Sequence, residues 1–239
     1  MSRQMGALRL VQILALGLGL WIAAPSAADA NNVAVIVGGR EIVLVIDPDQ
    51  CELDRNDPSD QRVYDLVERG LAGHNELLLA AADCEQIPPW RAGTRPTLDD
   101  FTQVQIGLSY RNQDLTRHEV ATARQICVQL HKQGDALVSK PIGAVRERFN
   151  QMSESVKLNE TKFMGVVRED PGACYASLVQ RVRTDQGADK LILTVFAHVV
   201  IRGRLLYIYR YTEGESVDSM LRLVEQVGES VRAHLEANR

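Results

Sequence analysis

A short turn between two long apolar segments constrains the fold of this chain more than any other feature. The segments Lys190–Ile201 and Arg204–Tyr211 are rich in β-branched and aromatic residues, and only Arg202-Gly203 separates them. This pattern predicts two antiparallel strands joined by a two-residue hairpin loop. A loop of that length also fixes the register, because Ile201 must then pair with Arg204.

The predicted register gives this hairpin two chemically unlike faces. One face is aliphatic and carries Val195, Ala197, Val199, Leu206 and Ile208. The other face is aromatic and carries Phe196, His198, Val200, Leu205, Tyr207, Tyr209 and Tyr211. On the aromatic face, His198 is expected opposite Tyr207 and Phe196 opposite Tyr209.

Two interpretations of the aromatic face stay open. Either helices that come earlier in the chain cover it as core, or it forms the floor of a ligand cleft. Aromatic rings with polar tips suit a cleft floor, because they can pack against a ligand and hydrogen-bond it at once. The candidate ligand-binding residues are Phe196, His198, Tyr207 and Tyr209.

Hydrophobic periodicity predicts the other elements and the fold class. Further strands are predicted at Val33–Val37, Ile42–Ile46, Leu77–Ala82, Thr102–Tyr110, Lys162–Arg168 and Ala173–Arg183. Helices are predicted at Pro58–Gly70, Thr116–Lys132, Ile142–Ser153 and Val217–Ala237. A loop is expected around Pro88, Pro89, Gly93 and Pro96. Short turns between successive strands imply antiparallel pairing, so the chain is predicted to be α+β, with an antiparallel sheet flanked by helices as an α/β/α sandwich.

Three local patterns refine these elements. Asp57 is placed as the N-cap of the first helix, and Thr116 with Glu119 forms a capping box at the second. Alternation along 102–110 predicts a half-buried strand. The last helix has an apolar stripe that is predicted to lie on the sheet, formed by Val217, Leu221, Val224, Val227, Val231 and Leu235.

The amino-terminal thirty residues predict export. Arg3 and Arg9 precede the apolar run Leu10–Ala24, and the small-residue sequence Ala28-Asp29-Ala30 follows it. This is the pattern of a secretory signal peptide, with cleavage expected between Ala30 and Asn31. The alternative is an uncleaved anchor, although the run is short for a membrane span. We therefore expect a periplasmic or secreted protein with one globular domain over residues 31–239.

Four cysteines follow the signal segment, at Cys51, Cys84, Cys127 and Cys174. An even number of cysteines in an exported chain points to disulfides, and four cysteines allow three connectivities. We prefer Cys51–Cys84, because both residues follow predicted strands, together with Cys127–Cys174. Cys127 also shares a helical stripe with apolar residues, so a free buried thiol is the alternative.

Composition and motifs exclude several functions. The formal net charge is −4 with both signs interspersed, which leaves no electrostatic footprint for nucleic acid. No phosphate-binding loop, nucleophile elbow or C-x-x-C pair occurs, and the histidines lack metal-ligand spacing, so neither a cofactor nor a metal site is expected.

Two weaker functional alternatives remain. The first is a small hydrolase with His198 as its base, which would need Ser177 or another serine and an acid nearby. The second is a calcium-binding envelope protein that uses the acidic segment 47–60, although this segment departs from the EF-hand pattern.

The last fifty residues carry a resemblance. An apolar strand from Lys190, a tight turn, the strand Leu205-Leu206-Tyr207-Ile208-Tyr209 and a long helix ending at Ala237-Asn238 resemble the carboxyl-terminal part of the Mog1/PsbP-like α/β/α sandwich superfamily. The resemblance implies a non-catalytic accessory or binding protein, and it assigns no functional residues. We therefore expect an exported, non-enzymatic binding protein whose partner is an envelope protein or a small ligand.

Overall fold

The computed structural model describes residues 32–153, 156–184, 187 and 189–239, so the predicted signal peptide lies outside the described residues. The strands are β1 Asn32–Val37, β2 Arg40–Val45, β3 Gln50–Glu52, β4 Asn75–Asp83, β5 Asp100–Gly107, β6 Val156–Asp170, β7 Ala173–Thr184, β8 Asp189–Ile201 and β9 Arg204–Glu213. The helices are α1 Pro58–Leu71, α2 Ile87–Arg91, α3 Glu119–Met152 and α4 Val217–Ala237.

The main sheet has seven antiparallel strands in the order β3-β4-β5-β9-β8-β7-β6. The strands β1 and β2 form a separate antiparallel hairpin. Helix α4 contacts β8 and β9, and α3 contacts β6, β7 and β8. The predicted α+β class, an antiparallel sheet flanked by helices, is confirmed.

The turn between β8 and β9 has the predicted register. Ile201 pairs with Arg204, His198 with Tyr207, and Phe196 with Tyr209. Both turn residues have positive φ, 48° at Arg202 and 74° at Gly203, which is the backbone geometry of a type I′ hairpin. A side chain at Gly203 would also overlap Thr116, so glycine is required here for space as well as for conformation.

The aliphatic face of β8 and β9 forms the largest core. It packs against α4 and the β1–β2 hairpin, and the buried side chains of this core include Ile42, Leu44, Val195, Leu206, Ile208, Leu223, Val227 and Val231. His234 ties the hairpin to α4, because its Nε2 accepts from the Val45 amide at 3.1 Å and its Nδ1 donates to the Ser230 carbonyl at 2.8 Å. Burial lowers the pKa of His234 to about 4, so the imidazole is neutral.

The predicted stripe of α4 is wrong in its first turn. Val217 and Leu221 are 75% and 58% exposed, whereas Leu223 is completely buried. Leu221 lies on the same side of the helix as Glu225, which forms an ion pair with Arg168 of β6. That side is turned away from the aliphatic core, and Leu223 occupies the core instead.

The predicted capping box of α3 is also wrong. The helix begins at Glu119 and runs to Met152, which joins the two predicted helices across a non-helical residue, Gln133. The Thr116 hydroxyl hydrogen-bonds Asp114 and accepts from Arg40, while the Glu119 carboxylate accepts from the Gly203 amide. Tertiary contacts with the β8–β9 turn therefore replace the local cap.

Three smaller features can be compared with their predictions. Asp57 caps α1 as predicted, accepting from the amides of Ser59 and Asp60. The predicted proline-rich loop contains the short helix α2, because Pro88 and Pro89 lie in its first turn, where the missing amide protons cost nothing. The β5 strand ends at Gly107, three residues earlier than predicted.

Disulfides join Cys51 to Cys84 and Cys127 to Cys174, which is the preferred pairing. The first links the β3 strand to the residue after β4, and the second attaches α3 to β7. Sequence separations of 33 and 47 residues correspond to about 4 kcal/mol each in the chain-entropy model.

The corrected α4 stripe makes a testable prediction. Leu223→Ala should lower the free energy of unfolding by about 3 kcal/mol, because it leaves a cavity in a packed core. The matched change Leu221→Ala on the same helix should alter it by less than about 0.5 kcal/mol. Urea unfolding of the oxidised protein measures both values. Equal losses would contradict the assignment of Leu223 to the core.

Candidate functional site

The four candidate ligand-binding residues form one continuous ring cluster. The centroids of His198 and Tyr207 are 4.8 Å apart, and Phe196 lies 5.4 Å from both His198 and Tyr209. Near-parallel rings continue this row. The centroid of Tyr211 lies 6.1 Å from that of Tyr209, and the centroid of Phe101 of β5 lies 4.5 Å from that of Tyr211. The aromatic face thus spans β8, β9 and β5.

Helix α3 covers part of this face. Phe196 is only 4% exposed and packs in a cluster with Cys127, Leu130 and Cys174. Cys174 pairs with His198 across β7 and β8, so the Cys127–Cys174 disulfide attaches α3 beside the ring cluster. The remaining candidates, His198, Tyr207 and Tyr209, are half-buried. Their ligand-binding role stays a prediction.

Two buried glutamines extend the aromatic face, and the sequence pattern does not predict that they belong to it. Gln103 and Gln105 pair with Tyr209 and Tyr207, and they are 5% and 2% exposed. Asn75 donates to Gln105 at 2.9 Å, and Gln105 donates to Gln103 at 2.6 Å. The prediction of a half-buried strand is therefore wrong for β5, because this strand lies inside the sheet between β4 and β9 and is buried on both faces.

The geometry around His198 does not assemble a serine triad. Ser177 pairs with Val195 and is fully buried on the aliphatic face, on the opposite side of the sheet from His198. Burial lowers the pKa of His198 to about 4, and its Nδ1 has no hydrogen-bond partner among the described residues. A weakly basic imidazole that no carboxylate orients is a poor general base.

Carboxylates of the acidic segment 47–60 form ion pairs with two different arginines. Arg210, which is 3% exposed, contacts Asp47 at 3.0 Å and Asp49 at 2.6 Å. Asp60 is fully buried and bonded to Arg91. These carboxylates point to different guanidinium groups, and within the described ranges no cluster has the composition of a metal site. The calcium hypothesis gains no support from this geometry.

The outer face of α3 combines apolar and basic side chains. Val120 and Val128 are 58% and 40% exposed, and Arg124 lies between them on the same helical stripe. Together with Arg117, these residues line a shallow hollow of about 780 Å³ at the start of the helix. Glu119 is turned inward to the Gly203 amide, so the first turn presents basic groups to solvent.

A second hollow, of about 510 Å³, lies where α3 is interrupted. Its wall contains Leu130, Gly134, Phe163 and Val166, and Lys132 lies at its rim.

In the part of the chain that the structure describes, no helix combines the length and the apolar character that crossing a membrane requires.

Comparison with known proteins gives a structural likeness only. No family model and no curated protein matches the chain. The cyanobacterial PsbP of Synechocystis sp. PCC 6803 is similar over 87% of this chain and 96% of its own, at 13% identity and a TM-score of 0.32. The Ran-binding protein Mog1p of Saccharomyces cerevisiae is similar over 87% and 88%, at 9% identity and a TM-score of 0.29. The likeness extends beyond the last fifty residues, and at these scores the functional argument rests on the chain's own geometry.

The environment of His198 predicts an unusual titration. We expect its imidazole to protonate with a pKa of about 4 because burial disfavours the cation. An unfolded imidazole protonates near pH 6.5, so the unfolded chain binds more protons between about pH 4 and 6.5. The free energy of unfolding should therefore fall as the pH drops through this window.

Histidine-ring NMR signals followed from pH 8 to pH 3.5 test this expectation. A His198 midpoint at or above 6.5 would contradict the burial argument and restore this residue as a candidate base.

Proposed function

We propose that this chain is an exported, non-enzymatic binding protein that docks an acidic surface of a protein partner onto the outer face of α3. The carrying observation is the exposed stripe of Val120, Arg124 and Val128 on a helix that a disulfide attaches to the sheet. Exposed apolar groups with nearby arginines are typical of binding surfaces.

Rigid presentation supports this role. The inner face of α3 places Ala123, Cys127 and Leu130 in the core, and Cys127 is bonded to β7 through Cys174. A helix that is covalently attached to the sheet loses little conformational freedom when a partner binds, which lowers the entropic cost of association. In this interpretation Phe196 and the neighbouring rings form the base on which the helix rests.

Charge supports an acidic partner. The whole chain has a formal net charge of −4. Three basic residues nevertheless lie on or next to α3, namely Arg117, Arg124 and Lys132. None of them has an acidic partner within 4.0 Å among the described residues. A basic patch on an acidic protein steers complementary surfaces and suppresses association between like molecules.

The two disulfides support export, because such bonds persist in oxidising compartments such as the periplasm. With the signal peptide predicted at residues 1–30, they favour an envelope protein as the partner. A hydrolase that uses Ser177 and His198 does not compete with this proposal, since these two residues lie on opposite faces of the sheet.

A small ligand on the aromatic face is the second candidate function. The half-buried residues Tyr207, Tyr209 and Tyr211 favour it, because no described residue hydrogen-bonds their hydroxyl groups. A ligand held there would use Phe196, His198, Tyr207 and Tyr209. Loss of ligand binding in Tyr209→Phe, with α3 unaffected, would distinguish it from docking on the helix.

Site-specific photo-crosslinking in the producing cells tests the main proposal. A photoreactive amino acid at Gln125 should capture a specific partner, whereas the same group at the exposed position Glu229 on α4 should not. Equal capture from both positions, or none from Gln125, would overturn docking on α3.

The captured partner then allows a quantitative test. Arg124→Glu should weaken its binding about tenfold, because it introduces like-charge repulsion, and added salt should weaken wild-type binding. The matched charge reversal Arg222→Glu on α4 should leave the affinity unchanged. An affinity insensitive to both Arg124→Glu and salt would contradict an acidic partner surface.

A further inference from the structure

We infer that the hollow at the interruption of α3 is a binding site for a small amphiphilic anion, an apolar chain or ring that carries a carboxylate. The inference does not depend on docking at Val120, Arg124 and Val128, because the two proposals share only the side chains of Leu130 and Lys132. The hollow measures about 510 Å³, within the range of small-molecule sites.

Two backbone irregularities create this hollow. The helix is interrupted at Gln133, where φ is −141° and ψ is 18°. Across the gap, β6 contains Gly165 with a φ of 110°, and its pairing with β7 shifts between Phe163 and Gly165 and again between Val166 and Arg168. A straight helix on a regular strand would pack closely, whereas these two breaks leave the space open.

The inner wall of the hollow is apolar. Leu130 is 6% exposed, and the half-buried side chains of Phe163 and Val166 complete the wall. Gly134 brings the helix backbone against the Phe163 ring, since a side chain at this position would overlap that ring. An apolar wall of this kind fits a hydrocarbon chain or an aromatic ring, and contact with it removes apolar surface from water.

One lysine at the rim offers a contact for an anionic group. Glu169 is hydrogen-bonded to the Nε2 atom of His131 at 2.8 Å, and Asp135, which also lines the hollow, accepts from Ser139. Lys132 also lines the hollow, and no carboxylate of the described residues lies within 4.0 Å of it. The ammonium group is therefore the cation available to a bound carboxylate.

Titration of the 15N-labelled full-length oxidised protein with decanoate tests the site by two-dimensional NMR. We expect saturable shifts concentrated at the amides of Gly134, Asp135, Gly165 and Val166. Ala136→Trp, at an exposed position of the wall, should abolish saturation by filling the hollow. Ala121→Trp in the other hollow of α3 should bind decanoate as the wild type does.

The charge requirement has its own test. Lys132→Gln should weaken decanoate binding about two- to fivefold, the size expected for one exposed ion pair, and should leave the binding of uncharged decanol unchanged. Thermal unfolding confirms that each variant is folded. Shifts that do not saturate, or unchanged saturation in Ala136→Trp, would overturn the site. Equal decanoate binding by wild type and Lys132→Gln would overturn the anion assignment.

Discussion

The pairing of Ile201 with Arg204 is the constraint on which the rest of the structure depends. It assigns every side chain of β8 and β9 to one of two faces, and a slip of one residue would exchange them. The aliphatic face can then pack against α4 and the β1–β2 hairpin. The aromatic face, with its polar ring atoms, is left to α3 and the buried glutamines of β5. The layered arrangement thus follows from one tight turn.

Two buried arginines on β9 secure the aliphatic side at both ends. Arg204 is 4% exposed and donates to the carbonyls of Val37, Gly38 and Gln113, which holds the turn of the β1–β2 hairpin. Arg210 holds Asp47 and Asp49 after the same hairpin, together with Asp100 at 3.3 Å. Burial nevertheless raises the pKa of both Asp47 and Asp100, because desolvation exceeds the attraction of the guanidinium group. Such groups position a small hairpin precisely and add little net stability.

The sequence predicts what local pattern controls and misses what distant contacts decide. The β8–β9 register follows from a two-residue turn, and the cap at Asp57 from an adjacent side chain, so both could be predicted. Thr116 is not a cap, because its hydroxyl group is hydrogen-bonded to Asp114 and Arg40. The carboxylate of Glu119, the other residue of the predicted capping box, accepts a hydrogen bond from the Gly203 amide. Leu221 has the right spacing for the core, but it is 58% exposed because Leu223, on the opposite side of α4, fills the core instead. The burial of Gln103 and Gln105 depends on β5 lying between β4 and β9 inside the sheet, and strand order is not a local property.

The same distinction changes how the aromatic residues are interpreted. In sequence, Phe196, His198, Tyr207 and Tyr209 stand out because polar-tipped rings alternate on one strand face. In the fold, Cys174 is the cross-strand neighbour of His198, and its disulfide brings α3 onto that face. Phe196 and Tyr209 therefore pack beneath the helix, and the proposed docking surface lies on its outer face at Val120, Arg124 and Val128. This packing depends on the Cys127–Cys174 disulfide, which a reducing compartment would remove, so the proposed binding surface requires the oxidising compartment that the proposed export would provide.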